Sequence, residues 1–139
     1  MWYYQNKEFT KEEIPDDIIG FVYCITNTMN NKKYIGKKIF YNTIKRAPLK
    51  GKKRRRISQV DSDWESYYGS NEILKEEVSQ TEDKSLYRRE ILHLCRNKTE
   101  MSYMETKEQF DRGVLLSDDY YNSWITCKIT TRGLSNVRI

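Results

Sequence analysis

Gly20-Phe21-Val22-Tyr23-Cys24-Ile25-Thr26, then Asn27-Thr28-Met29-Asn30-Asn31, then Lys33-Tyr34-Ile35-Gly36-Lys37-Lys38-Ile39-Phe40, is the stretch whose reading decides the fold. Both flanks are rich in β-branched and aromatic residues, which suit a pleated, half-buried surface, and the asparagine-rich segment between them favours a turn. The pair reads as an antiparallel hairpin. With a loop of two or four residues, odd positions on the first strand face even positions on the second. Tyr23 and Tyr34 then share one face, opposite or diagonal to each other, and Lys38 lies on the Tyr34 face. Two phenols beside cationic groups can serve hydrolysis, because a nearby positive charge favours phenolate and lowers a phenol's pKa from about 10. The competing reading, two tyrosines that only cover the sheet, stands beside it in a chain with 11 tyrosines.

Working outward, residues 1 to 17 read as an aromatic, charged lead-in that packs on the domain. After the hairpin a basic segment continues the second strand into a β-extension or long loop that turns at Pro48-Leu49-Lys50-Gly51, and Ser62 to Asn71 closes it. The pattern predicts a helix from about Asn71 to Val78 and a third strand from Arg89 to Cys95. A second helix is predicted from Thr99 to about Arg112, with a capping box of Ser102 and Glu105 and a stop at Gly113. Trp124 to Ile129 reads as a last short strand. The fold class is α+β: a small antiparallel sheet, the N-terminal hairpin plus a third strand, flanked by helices. A chain of 139 residues is expected to form one domain over 1–139, with a basic insertion at about 41–60.

No run approaches the 18 or more apolar residues of a membrane span, and the N-terminus lacks a signal-peptide layout, so the expectation is a soluble cytoplasmic protein with no membrane partner. Cys24, Cys95 and Cys127 are odd in number and lack zinc-site spacing, which suggests reduced core thiols. His93, the only histidine, excludes chemistry that needs two and lies within the apolar run Ile91 to Cys95, where a structural role is expected. The net charge of +5 conceals a sharper pattern. From Lys37 to Arg56 there are ten basic residues and no acidic one, which leaves 15 basic against 20 acidic side chains elsewhere. A localised positive field on an otherwise acidic chain selects a polyanion. Lys37, Lys45, Lys50, Lys52, Lys53, Arg54, Arg55 and Arg56 are the candidate phosphate contacts. Trp64, with Tyr67 and Tyr68, is a candidate aromatic contact to DNA, although packing in the core is the commoner fate of such residues.

Phe21-Val22-Tyr23 and, eleven residues on, Tyr34-Ile35-Gly36 resemble the paired signature of the GIY-YIG nucleases. The second half is intact, and the first carries Phe21 where glycine is usual and Val22 where isoleucine is usual. Glu105, in Tyr103-Met104-Glu105-Thr106-Lys107-Glu108, resembles the family's metal-binding glutamate, and Asn122 in Tyr120-Tyr121-Asn122 its late asparagine. Tyr34 to Lys38, the basic insertion, Ser62-Asp63-Trp64 with Tyr67 to Asn71, and Glu105 through Phe110 together resemble small stand-alone members encoded by tailed phages and often described as similar to homing endonucleases, in which case the host cytoplasm is the expected site of action. The resemblance implies a DNA endonuclease using one Mg²⁺ or Mn²⁺. Glu105 would hold the ion, with Glu108 as runner-up, Tyr23 would orient or deprotonate the attacking water, Tyr34 would complete the hydrogen-bond path, and Asn122 would order the site. The family's phosphate-clamping arginine falls about ten residues past the second tyrosine. Here that is Ile44, so the role passes to Arg46, or to Arg54, Arg55 or Arg56 of the insertion. Lys38 completes the candidate catalytic set. Without the long C-terminal region of larger homing enzymes, the basic contacts are expected to position DNA rather than specify it. The alternative is a non-catalytic nucleic-acid-binding protein on the same scaffold, favoured by the displaced arginine.

Overall fold

The computed structural model describes residues 1–54, 56–135 and 137, without the side chains at 46, 56 and 57. Strands β1 (Trp2–Tyr4), β2 (Lys7–Phe9), β3 (Gly20–Asn27), β4 (Lys32–Ile39), β5 (Tyr41–Arg46) and β6 (Arg56–Asp61) come first, followed by α1 (Glu72–Gln80), β7 (Tyr87–Cys95) and α2 (Lys98–Asp111). Five strands form one sheet in the order β2-β1-β7-β3-β4, and β5 and β6 form a separate two-stranded ribbon. No helix among the described residues is long and apolar enough to cross a membrane.

β3 lies one strand in from the edge of the sheet, flanked by β4 and β7, both antiparallel to it. Its side chains alternate between two cores. Phe21, Tyr23 and Ile25 join Trp2, Phe40, Trp64 and Leu74 on the α1 side, whereas Val22 and Cys24 join Ile35, Cys95 and Met101 on the α2 side. Burial on both faces explains why the strand reads as an almost continuous apolar run. A bulge in the β3–β7 register, between Val22 and Tyr23, lies beside the first tyrosine of the signature, and such irregularities commonly re-aim a side chain.

Four sequence expectations need correction here. The sheet is mixed rather than wholly antiparallel, because residues 2–9 form a hairpin whose first strand pairs parallel to β7. Its two turn residues, Gln5 and Asn6, both have positive φ (51° and 64°), the geometry of a tight type I′ hairpin turn. The cap of α2 is Asn97, whose Oδ1 accepts from Glu100 N at 2.8 Å, so Ser102 lies inside the helix rather than at its start. Residues 124–129 form no strand. The segment just before them runs along the open edge of β4, with Lys33 N donating to Asp119 O at 2.8 Å and Tyr121 N to Lys33 O at 2.7 Å. Finally, Cys24 and Cys95 are buried free thiols, but Cys127 is exposed.

Candidate active site

The hairpin loop between β3 and β4 has four residues, and the register pairs Tyr23 with Gly36 and Ile25 with Tyr34. The two tyrosines are therefore diagonal on one face, with ring centroids 6.2 Å apart. Gly36 makes their approach possible. A Cβ at Gly36 would lie 2.4 Å from Tyr23 Oη and 2.6 Å from its Cζ, so the phenol of Tyr23 crosses the space a side chain would occupy. Tyr23 is fully buried and cannot withdraw without disturbing its neighbours. Gly36→Ala is accordingly expected to destabilise the fold by about 1–3 kcal/mol, the usual cost of overpacking. Urea unfolding measures this, and an unchanged midpoint would mean that the ring has room to move.

The loop from Trp64 to Asn71 covers the pair. Tyr67 packs edge-on against Tyr23 at 6.0 Å. Tyr34 Oη lies 2.9 Å from Ser70 Oγ. Gly69, at φ +90°, lets this loop turn closely over the Tyr34 ring, 3.2 Å from where its Cβ would be. Arg89 pins the loop from beneath, donating to Glu65 O at 3.0 Å and Tyr67 O at 2.8 Å. Lys38 lies 4.2 Å from the Tyr67 ring centroid and pairs with Asp63 at 2.6 Å. Its charge is thus directed at Asp63 and Tyr67, not at either signature phenol.

The expected lowering of the phenol pKa values is not what the site produces. Burial raises Tyr23 well above the ordinary phenol value, reinforced by Tyr67 and Tyr34. Burial also raises Tyr34, and the hydrogen bond with Ser70 offsets it only in part. Both hydroxyls stay protonated at neutral pH, so neither supplies phenolate there.

The other half of the site lies across the edge of β4. Asn122 clamps Ile35 like a missing strand: Ile35 N donates to its Oδ1 at 3.0 Å, and its Nδ2 donates to Ile35 O at 2.9 Å. Gln109 Nε2 donates to the same carbonyl at 3.3 Å. Beyond this clamp opens a cleft of about 270 Å³, with Tyr34, Ser70 and Asn71 on one wall, Lys37, Glu105 and Gln109 on the other, and Asn122 to Thr126 along a third. Glu105 reaches it from α2 with a side chain 14% exposed; its nearest cation, Lys37 Nζ, is 3.9 Å away and donates to Ser102 Oγ at 2.8 Å. Burial raises the Glu105 carboxyl, and Lys37 opposes this only partly. Glu108 is a different case. Burial would raise it, but hydrogen bonds with His93 (2.8 Å) and Arg112 (2.9 Å) prevail and hold it low. It is already satisfied as an ion-pair partner, and His93 has a structural role as its neighbour.

The described residues contain no cluster of three or more His, Cys, Asp or Glu side chains that could hold a metal. That donor set does not suit zinc, which needs several protein ligands. It does suit Mg²⁺ or Mn²⁺, which keep most of their waters and are commonly held by one or two carboxylates plus phosphate oxygens of the substrate. Among the described residues Glu105, partly buried and weakly paired, is the one carboxylate lining the cleft.

The two tryptophans outside the N-terminal hairpin exchange the roles expected of them. Trp64, a candidate DNA contact, is 1% exposed and packs edge-on against Phe40 at 4.9 Å, so it is a core residue. Trp124, expected in a strand, is 69% exposed and stands on the cleft wall. Tyr67 and Ser70 belong to the Tyr67-to-Asn71 stretch that carries part of the family resemblance, but no site role is expected of Ser70 and only a DNA contact of Tyr67; a glycine between two aromatics and a serine is the signal that could have placed both at the site. Lys37 lies in the cleft, whereas Lys45, Lys50, Lys52, Lys53 and Arg54 are exposed on the β5–β6 ribbon and its loop. Arg55 and the side chains of Arg46 and Arg56 lie outside the described residues.

Comparison with known proteins gives one match. The family model described as "Putative endonuclease segE, GIY-YIG domain" matches residues 2–125. Neither a curated protein nor a solved structure matches the chain.

Proposed function

The chain belongs to the segE-type GIY-YIG endonuclease domain family, and from that premise we propose that it is a divalent-metal-dependent endonuclease that hydrolyses DNA phosphodiester bonds. The observation that carries this reading is the convergence of Tyr34, Lys37 and Glu105 on one cleft at the open edge of β4. Lys37 would neutralise the scissile phosphate. Tyr34, held by Ser70 and backed by Tyr23, would orient the water that attacks phosphorus as the bond to the leaving oxygen breaks. Glu105 would hold Mg²⁺ or Mn²⁺, which when bound supplies positive charge to the phosphate oxygens and leaving group. Asn122 keeps the edge of β4 in place, and Lys38 positions Tyr67 against Tyr23. Arg46 remains the proposed phosphate clamp, on a strand that follows directly from β4.

The test is nicking of supercoiled plasmid with Mg²⁺, with Mn²⁺ and with chelator. Cutting that requires the cation supports the proposal, and no cutting with either ion, by a folded protein that still shifts duplex DNA, would establish the non-catalytic binding reading instead. The exposed cations of the ribbon support DNA as partner. Changing Lys50, Lys52, Lys53 and Arg54 to neutral residues should weaken binding to unrelated duplexes by similar factors. It should also reduce the slope of log affinity against log salt by roughly 0.9 for each phosphate no longer neutralised. Titrations at several salt concentrations measure both, and an unchanged slope would remove the ribbon from the DNA surface.

A further inference from the structure

The β5–β6 ribbon is more than a charged appendage. Two-stranded hairpins are marginal in water on their own because they lack a face to bury, yet here Asn42, Thr43, Ile44 and Lys45 of β5 and Gln59 of β6 are all exposed. The ribbon is held at its base. Ser62 N donates to Phe40 O at 2.9 Å, Ser62 Oγ to Ile39 O at 2.6 Å, Lys11 pairs with Asp61, and Tyr41 packs on the core. Beyond that base the two strands pair with each other up to Arg46 opposite Arg56.

We propose that this ribbon enters the major groove of duplex DNA and reads base edges through Thr43 and Gln59, giving the enzyme a sequence preference near its cut site. This rests on the nuclease reading above and adds a specificity function to it. Charge selects the partner class: no acidic residue occurs between Lys37 and Arg56, and Lys50, Lys52, Lys53 and Arg54 crowd the tip. Shape favours the major groove, which is about 12 Å wide and admits a two-stranded ribbon. Chemistry permits base reading beside phosphate contact. Thr43 and Gln59 are direct cross-strand partners, so their side chains project side by side from one face of the ribbon. A glutamine amide can bond adenine N6 and N7 together, and a threonine can bond a base edge or pack on a thymine methyl. Geometry sets the distance: β4 passes into β5 with only Phe40 between them, and the six residues from Lys37 to Thr43 span at most about 20 Å of extended chain. At about 3.4 Å per base pair, the bases read should lie within roughly six pairs of the cut.

The test selects bound duplexes from a randomised library in chelator, for the parent and for Thr43→Ala/Gln59→Ala, and then places 7-deazaadenine or 3-deazaadenine at adenines of the selected site. The parent should enrich a strip of a few contiguous base pairs that includes adenine, and 7-deazaadenine, which lacks the major-groove N7 acceptor, should weaken binding there. The variant should melt like the parent and bind random duplex within about threefold. It should lose on the order of tenfold discrimination at each pair read, along with the 7-deazaadenine effect. Enrichment of no motif, an identical motif in the variant, or sensitivity confined to 3-deazaadenine in the minor groove would each overturn the inference while leaving the nuclease reading intact. A folded parent that binds no duplex at all would overturn both.

Discussion

Glu105→Gln should abolish cation-dependent nicking, lowering the rate by about 10³-fold or more, while the protein stays folded and binds duplex in chelator as the parent does. The substitution keeps the shape of the side chain and removes only the charge that would hold the ion, and charge stabilisation by a bound metal is worth several kcal/mol in a transition state. Stability gives an independent readout. Burial raises the Glu105 carboxyl above its unfolded value, so the ionised form is disfavoured in the metal-free fold and weakens it as pH rises through that raised value. The neutral amide should therefore melt at or slightly above the parent in chelator. Millimolar Mg²⁺ should raise the melting temperature of the parent and leave Glu105→Gln unmoved, because only a ligand that binds the native state stabilises it. Parental nicking by Glu105→Gln, with the loss appearing instead in Glu108→Gln, would relocate the metal one helical turn and break the present reading of Glu108 as an ion-pair partner of Arg112 and a hydrogen-bond partner of His93.

The tyrosine pair gives the second large effect. Tyr23→Phe and Tyr34→Phe retain ring packing and remove one hydroxyl each, so each should cost about 1 kcal/mol of stability for its missing hydrogen bond. Nicking should fall about 10²- to 10⁴-fold, the usual loss for a positioned proton-transfer group. Tyr34 lines the cleft and Tyr23 lies behind it, so in the proposed mechanism the two hydroxyls would act in series. The double variant should then be little worse than the more damaged single one. Because both phenols are held protonated by burial, the parent's rate should show no rise attributable to phenol ionisation between about pH 7 and 9. Thermal melting and plasmid nicking of the three variants decide the matter. Near-parental activity in both single variants would make the tyrosines core residues only, and a double variant worse by the product of the singles would separate their roles.

Much of this architecture is local and can be read along the chain. The β-branched and aromatic flanks Gly20 to Thr26 and Lys33 to Phe40, with an asparagine-rich turn between, specify a hairpin, and the strand period of two follows from it. That is enough to place Tyr23 and Tyr34 on one face without any other part of the fold. The N-terminal hairpin is not legible in this way, because strands of three residues are too short to show a period and Gln5-Asn6 is a weak turn signal. The parallel pairing of β1 with β7 joins segments more than eighty residues apart, and no local pattern encodes it. The final strand expected at Trp124 to Ile129 has the right composition. It fails to form because the Asn122 side chain, rather than the backbone, satisfies Ile35, and the chain leaves the sheet there.

The sequence by itself determined the central hairpin, the shared face of the two tyrosines, the helix that carries Glu105 and the basic stripe, because each depends on contacts between residues near in sequence or on charge alone. Which aromatics are buried and which line the cleft emerges from the folded packing, since local pattern sets Trp64 in a loop and Trp124 in a strand, whereas the loop residue is the one that is covered. The folded packing also decided that the phenols are raised rather than lowered in pKa. Lys38 stands on the expected face, yet its charge is directed at Asp63 and Tyr67, and the burial of Tyr23 comes from distant segments such as Trp2 and Tyr67. Desolvation and charge pairing are sums over neighbours in space, and the chain reveals those neighbours only when it is folded.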